Sequence, residues 1–524
     1  MSLYLNQNND LFEEDLNSKI FVDKSKLIPA VNENIKTNRK FMCVTRPRRF
    51  GKSMALSMLN AYYSKGCDSK ELFKGLKIES EESYLKHLNK HNVIWIDMAD
   101  LYTNIDDSSI FVRSLKSRIF KDLKNKYSHI ISDDMLLSDA FSTVNNELGE
   151  RFIFLIDEWD VIYREEKENS SLCKEYTEFL RNLFKSYSVS NCIDLVYMTG
   201  ILPIRRYNTE STLNMFKEYD MLYSRGLESY FGFTTEEVKS LCSKYHRNFD
   251  EIKSWYDGYN LNGTELYNPK SVVEAVSSGD CLNYWTKTSA LESVTMYMNY
   301  DKGVLKDSIT RMLLGEKIPV NVSKFDNDMT KITSTDSALT VLIHLGYLAY
   351  DEKAKSCYIP NYEIRLQFEN GIQELNWNEI YNPMSESSKT YEETLKRNCE
   401  YINKVFDKNH KEFSTIFNKN KEDILGTVTL ISYYATKNYY NWQKEANNTL
   451  GRSDILFYPK DNNHVPFIVE LKAQENASAL DAIKQIKNKE YYDIFDNFKE
   501  VMIVGISYNP KTLKHNTKIE IIKK

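Results

Sequence analysis

Four runs, at residues 40–45 (KFMCVT), 93–98 (VIWIDM), 152–156 (FIFLI) and 193–198 (IDLVYM), most limit what this chain can fold into. Each is short, mainly apolar and rich in β-branched or aromatic side chains, and helix-length polar segments separate one from the next. A strand apolar on both sides has to be covered on both faces, and strands that alternate with helices build a parallel sheet. The pattern therefore predicts a doubly wound α/β sheet over the first part of the chain. At 524 residues the chain is too long for one core, so about two to four domains are expected.

Past residue 227 helical patterns take over, with aromatic-rich stretches at 255–259 (WYDGY) and 267–269 (YNP). Near 340–361 a helix (TVLIHLGYLAY) runs into a polar turn at 351–356 and continues as CYIPN, a strand–turn–strand suited to the wing of a winged-helix unit. Sheet patterns return only at 454–458, 466–471 and 501–506. No apolar run is long enough to span a bilayer, and the start MSLYLNQNND lacks the basic-then-apolar order of a signal peptide. The eight cysteines are scattered singly, as reduced thiols are, rather than as a disulfide framework or a zinc site. A cytoplasmic protein without a membrane partner is the expectation. The net charge of −5 neither marks nor excludes a nucleic-acid partner, because an enzyme needs only a local positive groove.

Residues 45–53 (TRPRRFGKS) follow the first strand and open the first helix. That context suits a P-loop, in which backbone N–H groups and a helix N-terminus together hold the phosphates of ATP. Arg46, Pro47, Arg48, Arg49, Phe50, Gly51, Lys52, Ser53 and Met54 are the candidate nucleotide-binding residues. Lys52 would reach the β- and γ-phosphates, and the Ser53 hydroxyl would ligate Mg²⁺. Arg46 stands where the pattern GxxxxGK[ST] has its first glycine, so the backbone cradle departs from the usual one.

Downstream, FIFLIDE ends in two adjacent carboxylates. Asp157 is placed to hold the Mg²⁺ water shell and Glu158 to polarise an attacking water; the plainer alternative is an aspartate that caps the next helix. Thr199, beside Gly200 after the fourth strand, lies where a polar sensor of the γ-phosphate would be. Arg205 and Arg206 follow as candidate charge stabilisers, with exposed arginines at a helix start as the simpler reading.

Near the C-terminus GRSDILF (451–457), a polar turn and FIVELK (467–472) read as a β-hairpin. Alternation puts Glu470 and Lys472 on one face, where Asp454 meets them across the hairpin. Two carboxylates converging with a lysine suit metal-dependent phosphodiester hydrolysis. The carboxylates would hold Mg²⁺ or Mn²⁺, and the lysine would position a water and offset transition-state charge. A surface hairpin with alternating charges is the rival reading, weakened because FIVELK otherwise looks buried. Gln485 would face the site from a helix over 480–486. Glu422 is a candidate outer metal ligand, with Glu445 competing for that role.

Taken together these motifs resemble those of bacterial AAA-ATPase-like proteins that carry a C-terminal PD-(D/E)XK nuclease-superfamily domain. The resemblance runs nearly end to end, through FVDKS (21–25), RPRRFGKS (46–53), IDEWD (156–160), Thr199-Gly200, WYDGY, YNP, Tyr284-Trp285, Gly346-Tyr347, IPN (359–361), GRSD, Glu470-x-Lys472 and Gln485. It implies an AAA-like P-loop ATPase domain at 1–226, a helical lid and winged-helix-like region at 227–395, and a restriction-endonuclease-like α/β domain at 396–524. It also implies Asp454, Glu470 and Lys472 as catalytic residues, and Arg46 as ordinary for the family. The expected protein is an ATPase and Mg²⁺-dependent nuclease acting on nucleic acid, DNA foremost, as a homo-oligomer or a monomer, with defence against phage or mobile DNA implied by architecture alone. The alternative is an ATP-dependent switch or sensor that binds nucleic acid or a protein without cutting. A third reading keeps the nuclease and makes the nucleotide site degenerate.

Overall fold

The apolar runs of the first part pair as a parallel sheet. Its strands are β1 (Phe41–Thr45), β2 (Asn92–Asp97), β3 (Phe152–Asp157), β4 (Ile193–Gly200) and β5 (Lys217–Tyr219), in the order β2-β3-β4-β1-β5. Each neighbouring pair is parallel. The two-residue period divides the strands between two buried clusters, as a sheet covered on both faces requires. Phe41, Cys43, Ile94, Ile96, Phe154 and Ile156 pack in one; Met42, Val44, Val93, Trp95, Ile153 and Leu155 pack in the other.

The computed structural model describes residues 2–204, 213–285, 290–299, 304–325, 332–414, 421–448, 451–476 and 478–523. Arg205 and Arg206 lie outside the described residues, as do the side chains of Glu422 and Glu445. The chain forms two compact units, one from Met1–Ala290 with Pro319–Leu366, the other from Leu291–Ile318 with Gln367–Lys524. The sheet above belongs to the first.

The region beyond residue 227 is not wholly helical. Phe233–Thr234, Tyr259–Leu261 and Thr264–Tyr267 form a three-stranded antiparallel sheet. Asn262 and Gly263 both have positive φ, so a two-residue turn joins strands that are too short to show an alternating pattern. Further on, the helix Thr335–Leu345 ends at Gly346 in a left-handed conformation. An antiparallel hairpin of Ala349–Asp351 with Ser356–Tyr358 follows, so the end of the run TVLIHLGYLAY is strand rather than helix, and of CYIPN only Cys357 and Tyr358 are strand.

The second unit holds a mixed sheet of β6 (Tyr440–Asn448), β7 (Gly451–Pro459), β8 (Phe467–Lys472), β9 (Glu500–Asn509) and β10 (Lys514–Lys523), in sequence order. Only the β8–β9 pair is parallel. Parallel neighbours need a crossover, and it contains the helix Ala479–Asn488. Ile483 and Ile486 of that helix pack with Leu456, Ile468, Val501 and Ile503 of the sheet. Gly505 lets the helix come close, since a Cβ there would lie 2.3 Å from the Ala479 carbonyl oxygen.

The segment Leu291–Ile318 is tied into this same unit. Lys306 pairs with Glu379 and lies 5.0 Å from the centre of the Trp377 ring. Lys437 donates to the Leu313 carbonyl, and Lys444 pairs with Glu316.

Candidate active sites

In the first unit the chain leaves β1, makes a loop and enters the helix Lys52–Tyr63, whose N-cap is Gly51 at φ 85°. The left-handed positions of the loop are Arg49 (φ 71°) and Gly51. Arg46 needs no left-handed backbone and does not face the opening. It is fully buried: its guanidinium donates to the carbonyls of Thr45 and Tyr219 at 2.7 and 2.8 Å and lies over the Phe231 ring. Burial lowers its pKa to about 10. It braces the edge of the sheet where a glycine would leave space.

A cavity of about 930 Å³ opens at this loop. Arg48, Arg49, Phe50, Gly51, Lys52, Ser53, Met54 and Glu158 line it; Arg46, Pro47, Asp157 and Thr199 do not. The Lys52 ammonium donates to the Pro47 carbonyl at 3.0 Å. Burial lowers the pKa of Lys52, while Glu158, Asp157 and Asp160 oppose the shift. Asp157, at the tip of β3, is 2% exposed, and its carboxyl is pushed up to about 7 by burial, against a hydrogen bond from Ser53. A desolvated lysine and a carboxyl short of countercharge fit a site for a phosphate chain and its Mg²⁺.

Thr199 is fully buried, and its hydroxyl donates to the Val44 carbonyl at 2.8 Å, which ties β4 to β1. The neighbouring Gly200 has a steric task, since a Cβ there would meet Asp160 Oδ1 at 2.6 Å and Trp159 Cδ1 at 2.7 Å.

Residues the sequence reading left without a task surround this loop. Asp160 accepts from the amides of Ile201 and Leu202 at 3.1 and 2.8 Å and pairs with Arg164, which in turn contacts Glu158. Arg49 donates to the Tyr284 carbonyl at 2.9 Å, and Phe50 packs edge-on against Tyr259. Buried Glu363 accepts from Ser271 Oγ and from the amides of Tyr284 and Trp285. Gly346 has no room for a side chain, because Pro47 lies 2.7 Å from where its Cβ would be. Gly258 likewise faces the Pro360 carbonyl, and Asn361 donates to the Asp257 carbonyl at 2.7 Å. The second aspartate of IDEWD and the arginine four residues later were the legible signal for the Asp160–Arg164 pair.

In the second unit Asp454 on β7 and Glu470 and Lys472 on β8 come together. Asp454 Oδ2 accepts from the Leu471 amide at 2.7 Å. The Lys472 ammonium donates to Glu470 Oε1 at 3.1 Å and to Gln485 Oε1 at 2.7 Å, and the Gln485 amide also donates to Glu470 Oε1. Gln485 thus faces the site from the crossover helix and fixes both partners. Glu470 is 1% exposed; burial, with the Asp454 charge adding, pushes its carboxyl up to about 7 against the Lys472 charge. Its Oε2 is buried without a hydrogen-bond partner. An orphaned carboxylate oxygen beside a second carboxylate is what a divalent cation would satisfy. Among the described residues no cluster of three or more His, Cys, Asp or Glu side chains is placed to hold a metal.

A P-loop on a parallel sheet and an Asp…Glu-x-Lys cluster on a mixed sheet define the class: an AAA-ATPase-like unit joined in one chain to a nuclease-type α/β unit. The comparisons agree. Residues 10–209 match the family described as "Predicted AAA-ATPase", and residues 425–518 match the "PD-(D/E)XK nuclease superfamily", so the chain carries both domains.

A relative described as an uncharacterized protein in the vnfD 5' region, from Azotobacter chroococcum mcd 1, is 21% identical over 89% of each chain. Among solved structures the chain is similar to the replication initiator DnaA bound to AMPPCP and single-stranded DNA, at 10% identity and TM-score 0.27, over 63% of this chain and 89% of that one. It is also similar to the Aeropyrum pernix ORC2 protein, at 11% identity and TM-score 0.30, over 69% and 98%. Neither structural likeness bears on activity. No described helix is long and apolar enough to cross a membrane.

Proposed function

We propose that the protein binds and hydrolyses ATP at the first site and cleaves nucleic acid, DNA foremost, at the second. The observation that carries the nuclease reading is the buried, unpartnered Glu470 Oε2 beside Asp454, with Lys472 held next to it by Gln485. Asp454 and Glu470 would hold Mg²⁺ or Mn²⁺, which when bound supplies Lewis-acid polarisation of the phosphate and a more acidic water. Lys472 spends two of its three donors on Glu470 and Gln485, which leaves one to hold the attacking water and offset charge on the phosphate. At the first site Lys52 and the loop amides would hold the phosphate chain, Ser53 and Asp157 would hold its Mg²⁺, and Glu158 would orient the attacking water.

We place the functional segments at 1–226, 227–395 and 396–524, with the helix Thr335–Leu345 and its hairpin as a winged-helix-like element. A cytoplasmic, self-associating protein acting against phage or mobile DNA suits this architecture. The test is cleavage of plasmid, linear and single-stranded DNA and of RNA, with Mg²⁺ or Mn²⁺, with and without ATP. Equal nicking by wild type and Lys472→Ala would sink the nuclease reading, and tight, salt-dependent DNA binding without cutting would point to the switch. ATP turnover equal in wild type and Lys52→Ala would remove the ATPase assignment.

A further inference from the structure

We propose that Arg164 reads the terminal phosphate of a bound nucleoside triphosphate and, by leaving Glu158 to do so, moves Glu158 from a parked to a working position. The inference rests on the nucleotide reading of the 930 Å³ cavity.

Arg164 belongs to the short helix Val161–Glu165, which begins directly after the Asp157–Asp160 turn. Its side chain is 10% exposed and lines the cavity with Lys52, Ser53 and Glu158. Three carboxylates share its single charge. The guanidinium contacts Glu158 Oε2, lies 3.2 Å from Asp160 Oδ2 through Nε, and lies 3.6 Å from Glu165 Oε1 through NH1.

These partners are not equivalent. Asp160 is fully buried and already accepts from the Ile201 and Leu202 amides, so it cannot follow a moving guanidinium. Glu158 is 23% exposed and Glu165 47% exposed, and neither is locked in this way. Glu158 also sits at φ 48°, a left-handed backbone that a non-glycine residue adopts only under constraint.

While it pairs with Arg164, Glu158 has a carboxylate oxygen engaged by a cation and is a poor acceptor for a water proton. A terminal phosphate near Lys52 brings more negative charge than Glu158 and oxygens that fit the guanidinium fork. With the buried Asp160 fixed beside Nε as a countercharge, the NH groups can turn from Glu158 to the phosphate. The turn frees Glu158 for the attacking water and places positive charge where it builds up in phosphoryl transfer. A diphosphate offers no such partner, so Glu158 stays parked. The positive charge of Arg164 is felt at Lys52, which sets the two cations within range of one ligand.

The test is equilibrium binding of ADP and of the β,γ-methylene analogue of ATP to the full chain, with ATP turnover measured alongside. Arg164→Ala should weaken the triphosphate analogue by about tenfold or more and ADP by less than about twofold. Turnover should fall by about a hundredfold or more. Glu158→Gln removes the competing charge and should tighten the triphosphate a few-fold without changing ADP. That gain should vanish in the Arg164→Ala/Glu158→Gln double variant. Arg164→Lys keeps a cation beside Asp160 and guards against simple misfolding; it should restore the melting temperature but only part of the triphosphate preference.

Equal weakening of both nucleotides, or a Glu158→Gln gain that survives in the double variant, overturns the proposal. Wild type that binds neither nucleotide overturns the nucleotide reading itself. Wild type that loses binding in Lys52→Ala yet keeps its full triphosphate preference in Arg164→Ala overturns this inference alone.

Discussion

Replacing Glu470 by Gln should stabilise the second unit at alkaline pH and do little in acid. In the folded chain burial moves the Glu470 carboxyl from 4.5 to about 7. An acid whose folded pKa is raised binds its proton more tightly when folded. Its cost is therefore absent below the unfolded pKa, grows as pH rises between the two values, and is complete above the folded one. The difference corresponds to about 3 kcal/mol at pH 8. The side chain is 2% exposed, so solvent screening hardly reduces it. A glutamine keeps an acceptor for Lys472 and Gln485 but buries an amide without a partner, which takes back about 1 kcal/mol. The net gain of about 2 kcal/mol should raise the melting temperature of that unit by about 6 °C near pH 8. Near pH 5 the gain should shrink to about 1 °C or reverse. Calorimetric melts of both proteins at the two pH values give the answer, and a difference that does not change with pH would refute the raised carboxyl. Mn²⁺ should raise the melting temperature of wild type near pH 8 and leave the variant nearly unmoved.

Lys472→Ala should reduce Mn²⁺-dependent cleavage by about a hundredfold or more while DNA binding stays within a few-fold, as read by a gel cleavage assay beside fluorescence anisotropy. Thr199→Val should cost about 1 kcal/mol in urea unfolding through the lost bond to Val44 and leave nucleotide affinity unchanged. Gly346→Ala combines a left-handed backbone at φ 86° with a Cβ only 2.7 Å from Pro47. It should cost about 1–3 kcal/mol and weaken nucleotide binding through the loop it presses on, both visible in melts with and without ADP.

Hydrophobic patterning made the strands of both sheets legible, because a strand covered on both faces has few alternatives to an apolar run. The four N-terminal runs and those at 454–458, 466–471 and 501–506 all lie on or within a residue or two of strands. Three strands escaped notice for physical reasons. Lys217–Tyr219 is three residues long, and Tyr440–Asn448 and Lys514–Lys523 are edge strands with polar faces that blur an apolar signal. At the second site the two-residue period was enough to put Glu470 and Lys472 together, and the structure adds that Gln485 holds them both. At the first site, local sequence could not show which way Arg46 and Thr199 point. Each is turned into the sheet by partners remote in sequence, Tyr219 for one and Val44 for the other.

The second unit is discontinuous in sequence, and this decides how the protein can be taken apart. Leu291–Ile318 belongs to the unit that otherwise begins at Gln367, while Pro319–Leu366 returns to the first. A C-terminal fragment cut at that later boundary would be missing one of its own pieces. Glu379 would lose Lys306, Lys437 would lose the Leu313 carbonyl, and Lys444 would lose Glu316. An excised nuclease-type unit needs residues 291–318 grafted back by a linker or supplied as a separate peptide, and an excised first unit needs a bridge from 290 to 319. The two candidate sites are thus not beads on a string that one cut can separate: single-site variants in the whole chain will assign their roles more cleanly than truncation.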